Sequence, residues 1–294
     1  MQVGAHSEGL RAAVIGSPIS HSKSPLLHGA AYQALGLDIE YTRQEAVETD
    51  AAALNTMLRN EPGWLGLSCT MPMKQALIPF LDNTSERVRI LGAMNTVVVY
   101  RTDGEPVKLS GENTDVDGLI KSIAAMGATV LKNVAIFGAG NTASAAIMAV
   151  AESGAEHIDF VVRNLERAAA SIALAQSFGL TANAILNDAA ACSIPEYDAA
   201  ISTLPPGSAD SFVDKLGLEN LRPGTPLMDV TYDPWPSRLA SAWTEHGGVA
   251  ASGLTMLLYQ AVEQVKLFTG VTEADWDHVI NMMCDAVGLT RPQN

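Results

Sequence analysis

The stretch KNVAIFGAGNTASAAIMAVAES (132–153) decides the fold. A short apolar run enters the turn Gly138-Ala139-Gly140 and leaves as alanine-rich helical sequence, with Asn141, Thr142 and Ala143 in its first turn. That order is strand, glycine turn, helix, and the turn fits the pattern G-x-G-x-x-A. Gly138 permits the tight turn, Gly140 lets the backbone approach a pyrophosphate, and the small Ala143 allows the helix to pack closely. The free N–H groups at the helix start add an anion site. The segment 134–151 carries no charge, yet its glycines and hydroxyls suit such a turn and not a membrane span. A dinucleotide is the expected ligand, against a bare structural turn.

Downstream, HIDFVVR (157–163), YDAAIST (197–203) and PLMDVTY (226–232) read as further strands, and 237–247 as a helix. The second strand ends in Arg163-Asn164, with Arg167 four residues on. An acidic residue at that place would suit the ribose hydroxyl of NAD; arginines suit the 2′-phosphate of NADP. The alternative is a pair of solvated arginines beside Glu166. In a chain with so few bases, NADP is the expected cofactor.

Upstream, RAAVIG (11–16), EYTRQEAV (40–47) and WLGLSCT (64–70) read as strands. Ser24-Pro25 starts a helix, with Ser24 as its N-cap, that runs to about Leu35, and 51–58 forms another. The runs around Thr102-Asp103-Gly104 (96–111) predict an antiparallel hairpin, and 116–126 a helix that stops at Gly127. After Gly253, the residues Leu254, Leu257, Leu258, Ala261, Val262 and Val265 give one apolar helical face. The whole is an α/β chain of two domains, which 294 residues also suggest.

Eighteen Lys+Arg against 32 Asp+Glu leave a formal charge of −14, and that field opposes binding to nucleic acid or to anionic membranes. Cys69, Cys192 and Cys284 are scattered and odd in number, so neither a disulfide framework nor a CxxC metal pair is expected. The six histidines lack ligand spacing, and no metal is expected. The N-terminal segment lacks an apolar signal core, and a cytoplasmic protein is expected.

Four polar clusters stand in the first half: GSPISHSKSPLLH (16–28) with Ser22 and Ser24, SCTMPMK (68–74) with Thr70 and Lys74, GAMNTV (92–97) with Asn95, and GENTDVDGL (111–119) with Asp115. Taken singly, Ser24 and Asp115 read as helix caps and Lys74 as a surface lysine. Taken together with GAGNTA, DVTYDPWPSRL and GLTMLLYQA, in this order along nearly the whole chain, they closely resemble the shikimate dehydrogenase family. The family often has His-Asn where His28-Gly29 stands and a third glycine where Asn141 stands.

The resemblance implies an N-terminal α/β substrate domain with a mainly parallel sheet (1–114 and 253–294), to which the C-terminal helices return. A Rossmann-like NADP domain (115–252) would lie between these segments. It implies that Ser22 and Ser24 hold the substrate carboxylate, and that Thr70, Asn95, Asp115 and Gln260 bond ring hydroxyls, with Tyr232 nearby. Lys74 and Asp115 would be the catalytic pair. Thr203 and Gly253 join Gly138–Ala143, Arg163, Asn164 and Arg167 as cofactor contacts. The implied reaction is the NADP-dependent, reversible reduction of 3-dehydroshikimate to shikimate, and a homodimer is a possible assembly. The competing readings are an NAD-using quinate/shikimate dehydrogenase, a folate-linked dehydrogenase and a non-catalytic NADP-binding regulator.

Overall fold

β1 (Leu10–Gly16) is a nearly uninterrupted apolar run whose residues 12–15 are buried, as a strand covered on both faces requires. In the computed structural model, which describes residues 9–128, 130–189 and 194–292, it lies between two parallel neighbours. Before it in the sheet comes β2 (Ile39–Glu45), reached through α1 (Ser24–Ala34); after it comes β3 (Trp64–Cys69), reached through α2 (Ala51–Asn60). The chain continues through the single turn α3 (Met73–Ala76), β4 (Asn83–Thr84) and α4 (Glu86–Leu91) to the antiparallel hairpin β5 (Thr96–Tyr100) and β6 (Lys108–Glu112). The sheet order is β2-β1-β3-β5-β6-β4.

Gly66 in β3 shows how tightly this sheet is packed. A Cβ there would lie 2.2 Å from the Val97 carbonyl oxygen and 2.4 Å from the Phe268 ring. The core on one side gathers Ile15, Leu54, Leu58, Leu67, Met73, Leu77 and Val97.

After α5 (Asp115–Ala125), the turn sequence opens a second sheet. β7 (Asn133–Phe137), α6 (Asn141–Glu152), β8 (His157–Val162), α7 (Ala169–Ser177) and β9 (Thr181–Leu186) form one wing. β10 (Ala199–Ser202), β11 (Pro226–Asp229), α8 (Arg238–Glu245) and β12 (Val249–Ser252) form the other. The order β12-β11-β10-β7-β8-β9 is parallel throughout and reverses direction at β7, the doubly wound arrangement of dinucleotide-binding folds. Trp243, fully buried, anchors its core beside Phe137 and donates its indole N–H to the Thr225 carbonyl at 2.8 Å. Two helices follow, α9 (Gly253–Thr269) and α10 (Trp276–Val287).

The chain divides into two compact units, one made of the segments before Val116 and after Tyr259, the other of Val116–Tyr259. Asp115 therefore falls with the first unit. The second division lies inside the continuous helix α9, so Gly253 falls with the second.

Among the described residues no helix is long and apolar enough to cross a membrane, and no three of His, Cys, Asp and Glu cluster as metal ligands. Cys69 and Cys284 are buried free thiols, and Cys192 lies outside the described residues. One expectation is corrected here. The N-cap of α1 is Lys23, not Ser24, because Ser24 already has its place in the helix and its own N–H is taken by the Ser22 hydroxyl at 3.3 Å.

Candidate active site

Most of the expected side chains of the first unit sit at the start or end of a strand or helix, whereas Gln260 lies within α9. After β1, the loop that carries Ser22 lies against the segment that follows β3. Gly16 makes this possible, since a Cβ there would lie 2.4 Å from the Thr70 methyl and 2.7 Å from the Met71 carbonyl. The Ser17 N–H donates to that carbonyl at 2.9 Å, and the Thr70 N–H donates to the Ile15 carbonyl at 2.9 Å. Arg43 on β2 donates twice to the Ser22 carbonyl, from Nε at 2.9 Å and Nη2 at 2.6 Å. This fork fixes the paired-serine loop. Nothing local in the sequence pointed to Arg43. Ser22 is half-buried and Ser24 buried against Tyr41.

Lys74 lies in α3, and its carbonyl accepts the Met94 N–H at 2.9 Å, which ties it to the segment bearing Asn95. Its Nζ donates to Asp115 Oδ2 at 2.5 Å, across 41 residues of sequence. Asp115 is the first residue of α5 and not its cap; its N–H donates to Asn113 Oδ1 at 3.1 Å. The other carboxylate oxygen, Oδ1, accepts from Asn95 Nδ2 at 2.9 Å. The same amide nitrogen lies 2.9 Å from Thr114 Oγ1 and 3.1 Å from Gln260 Oε1, while Asn95 Oδ1 accepts the Thr114 N–H at 2.8 Å. Lys74, Asn95, Asp115 and Gln260, scattered over the sequence, thus form one cluster. The Lys74 and Asp115 side chains keep 32% and 13% exposure, so the pair can be reached from solvent. A half-buried ammonium held on a carboxylate is a group able to give or take a proton at a neighbouring oxygen.

Behind the cluster lies a set of polar residues that the motifs did not reveal: the buried His28, Tyr32, Ser68 and Gln264, with the half-buried Tyr41. His28 is completely buried and stacks on Tyr41 at 3.9 Å. Burial drives its pKa down to about 3, only partly offset by the hydrogen bond to Gln264. Burial likewise raises the Tyr32 and Tyr41 phenols well above their usual range and pushes the Cys69 thiol up to about 12. Cys69 is therefore no nucleophile.

The second unit holds the remaining expected residues: Tyr232, Thr203, Gly253 and the glycine turn. Gly138 has φ +98°, and a Cβ there would lie 2.9 Å from Thr203 Oγ1, which itself donates to the Phe137 carbonyl at 3.0 Å. Thr203 thus acts as a wall behind the turn. Gly140 precedes α6 with no side-chain cap, and a Cβ built on it meets nothing within 4 Å. Together with buried Ala143, this leaves an open cradle over a twelve-residue helix start, a fit for a pyrophosphate. The Asn141 side chain lies outside the described residues.

Arg163 and Arg167 are exposed and make no ion pair among the described residues; Asn164 caps the following turn by accepting the Glu166 N–H at 2.9 Å. Gly253 is required by the backbone, since a Cβ would lie 2.0 Å from the Val230 carbonyl oxygen. Tyr232 is 38% exposed, on the loop that Asp229 organises by accepting from Ser237 Oγ at 2.6 Å and the Thr231 N–H at 3.1 Å.

The buried histidine has a measurable consequence. Its pKa is lower in the folded chain than in the unfolded one, so below about pH 6.5 the unfolded state takes up a proton that the folded state refuses. Its contribution to stability is therefore complete above that pH and is lost as the pH falls towards 3. In urea titrations between pH 7 and 4, the stability of the wild type should fall relative to His28→Gln by roughly 1 kcal/mol per pH unit. Parallel pH curves would contradict this.

Comparison with known proteins agrees with this architecture. The family model of the shikimate dehydrogenase substrate binding domain matches residues 14–97, and that of the shikimate 5'-dehydrogenase C-terminal domain matches 253–277. The chain is 30% identical over 285 residues to the pentafunctional AROM polypeptide of Schizosaccharomyces japonicus, of whose length it spans 18%. It is 32% identical over 280 residues to the shikimate dehydrogenase (NADP(+)) of Staphylococcus aureus, covering 95% of this chain and 97% of that one. The crystal structure of a shikimate 5-dehydrogenase from Mycobacterium fortuitum superimposes with a TM-score of 0.81 at 38% identity, over 94% of this chain and 97% of that one. With relatives this similar along nearly the whole of both chains, the chain belongs to the shikimate dehydrogenase family.

Proposed function

We infer that this chain is an NADP-dependent shikimate dehydrogenase that catalyses the reversible reduction of 3-dehydroshikimate to shikimate. The observation that carries the reading is the Lys74–Asp115 pair at 2.5 Å, with Asn95 and Gln260 converging on it. Substrate binding is assigned to the first unit and cofactor binding to the second.

NADPH, when bound, supplies the hydride. The chain supplies everything else. In ketone reduction, the Lys74 ammonium donates a proton to the oxygen that becomes the alcohol; in oxidation, the neutral amine accepts it back. Asp115 holds Nζ through Oδ2, and Asn95 keeps the carboxylate turned by holding Oδ1. Ring hydroxyls of the substrate are assigned to Thr70, Asn95, Asp115 and Gln260, and Tyr232 is a further expected substrate residue. The Ser22 hydroxyl, whose oxygen accepts the Ser24 N–H, keeps its own proton for the substrate carboxylate, with Ser24 as the second hydroxyl. The cofactor pyrophosphate is assigned to the backbone from Gly138 to Ala143, with Thr203 and Gly253 bordering the site. The 2′-phosphate is assigned to Arg163, Asn164 and Arg167. The enzyme is placed in the cytoplasm, a reading supported by the free thiols of Cys69 and Cys284. A homodimer is the assembly to look for by light scattering.

Two outcomes test this reading. Lys74→Ala should lose about 10² to 10⁴-fold in kcat for shikimate oxidation while its KM for NADP+ stays unchanged. A fully active variant overturns the pair's role. Initial rates with shikimate and quinate, each with NADP+ and NAD+, should give the highest kcat/KM for shikimate with NADP+, and Arg163→Ala should narrow the gap between the two cofactors. A preference for quinate with NAD+ would favour the rival enzyme, and NADP+ binding without turnover would favour a regulator.

A further inference from the structure

The polar residues behind the cluster form a single directed chain of hydrogen bonds. Its direction follows from groups that have no choice. The Asn95 main-chain oxygen can only accept, and it takes the Cys69 N–H at 2.7 Å and Gln264 Nε2 at 3.0 Å. Gln264 must therefore present its amide nitrogen to Asn95 and Thr96, whose Oγ1 lies 2.8 Å away, and its oxygen to the opposite side. There Oε1 accepts from Ser68 Oγ at 2.8 Å and faces His28 Nε2 at 3.2 Å. The histidine proton accordingly sits on Nε2, and Nδ1 accepts from the Tyr32 hydroxyl at 3.1 Å. Tyr41 closes the set by donating to Ser68 Oγ at 2.6 Å.

The other end of the chain reaches the reacting groups. The Thr96 hydroxyl, having accepted from Gln264, donates to Asn95 Oδ1 at 2.8 Å. Together with the Thr114 N–H, which donates to the same oxygen at 2.8 Å, this turns that oxygen away from Asp115 and Nδ2 towards it. A flipped Asn95 amide would set oxygen against carboxylate oxygen and leave buried donors unpaired, at a cost of about 1–3 kcal/mol each. His28, Thr96, Asn95 and Gln264 are each 3% exposed or less, so water cannot relieve such a flip.

We propose that His28 and Gln264 are positioning residues for the dehydrogenase reaction, locking the Asn95 amide so that its N–H holds the Asp115 carboxylate for Lys74. They do not reach the pair themselves; they act through Asn95 and Thr96. The proposal rests on the catalytic reading of Lys74 and Asp115.

Gln264→Glu is the direct test. The titratable groups around position 264 include His28, Tyr32, Tyr41 and Cys69, and in the wild type burial keeps all four neutral across the assay range. An introduced carboxylate would favour the His28 imidazolium beside it, so any new titration belongs to that pair and reads the state of the carboxyl. Protonated, it retains one O–H to donate towards Asn95 and Thr96; ionised, it retains none. The variant should lose kcat as pH rises, by about tenfold or more beyond the wild-type profile, because misplaced catalytic groups are costly. Its KM for NADP+ should not change. As a second pair, His28→Gln, which keeps an N–H for Gln264 Oε1, should hold most of the wild-type kcat, and His28→Leu should not.

A Gln264→Glu profile of the wild-type shape, at full or uniformly reduced height, overturns the proposal, as does equal activity of the two His28 variants. If Gln264→Glu does not fold, the His28 pair decides alone. The Lys74→Ala control separates the two levels: activity in that variant removes the catalytic reading itself, whereas an inactive Lys74→Ala beside an unaltered Gln264→Glu profile removes only the positioning role.

Discussion

One buried carboxamide holds the first unit's chemistry together. Asn95 sits just before β5, yet its side chain bonds the start of α5 through Thr114, the returning helix α9 through Gln260, and the Asp115 carboxylate. Its main-chain oxygen adds β3, through the Cys69 N–H, and a second position on α9, through Gln264. An amide with so many partners is directional: donors and acceptors cannot be exchanged without several losses at once. The Lys74–Asp115 pair inherits its orientation from that constraint.

The charge balance gives the arrangement its other character. In a chain of net charge −14, both ligands of the proposed reaction are anions, so long-range attraction works against their capture. Several of the few bases serve the structure. Arg43 fixes the Ser22 loop, Arg59 bonds the Val107 and Phe80 carbonyls, and Arg101 reaches the Leu58 and Glu61 carbonyls. Arg163 and Arg167 are exposed and make no ion pair among the described residues. In the proposed reading, capture rests on those two arginines, the uncapped start of α6 and the serine hydroxyls, all acting at contact range.

The parts legible in the sequence were those written locally. β1, β7 and β8 are compact apolar runs, the hairpin has its Asp103-Gly104 turn, and the glycine turn is spelled out by adjacent residues. Weaker elements escaped. β9 alternates partly exposed residues, and β12 is four residues long and built largely of small side chains. α10 shows only a narrow apolar face of Val279, Met283 and Cys284. The site was legible only as motifs in family order, because its contacts are remote: Lys74 meets Asp115 across 41 positions, and His28 meets Gln264 across 236. A glutamine and a histidine on apolar helical faces carry no local sign of being partners. Ser24 misled for the opposite reason, since serine before proline is a common helix cap, and here the chain had already turned helical at that residue.

The claim that Lys74 and Asp115 work as one unit is tested most directly by a double-mutant cycle on kcat for shikimate oxidation with NADP+, using Lys74→Ala, Asp115→Asn and the double variant. Groups that share one proton-transfer step are strongly non-additive. The double variant should be about as slow as the slower single variant. Losses that multiply, each single effect undiminished in the other's absence, would show two independent residues and contradict the account.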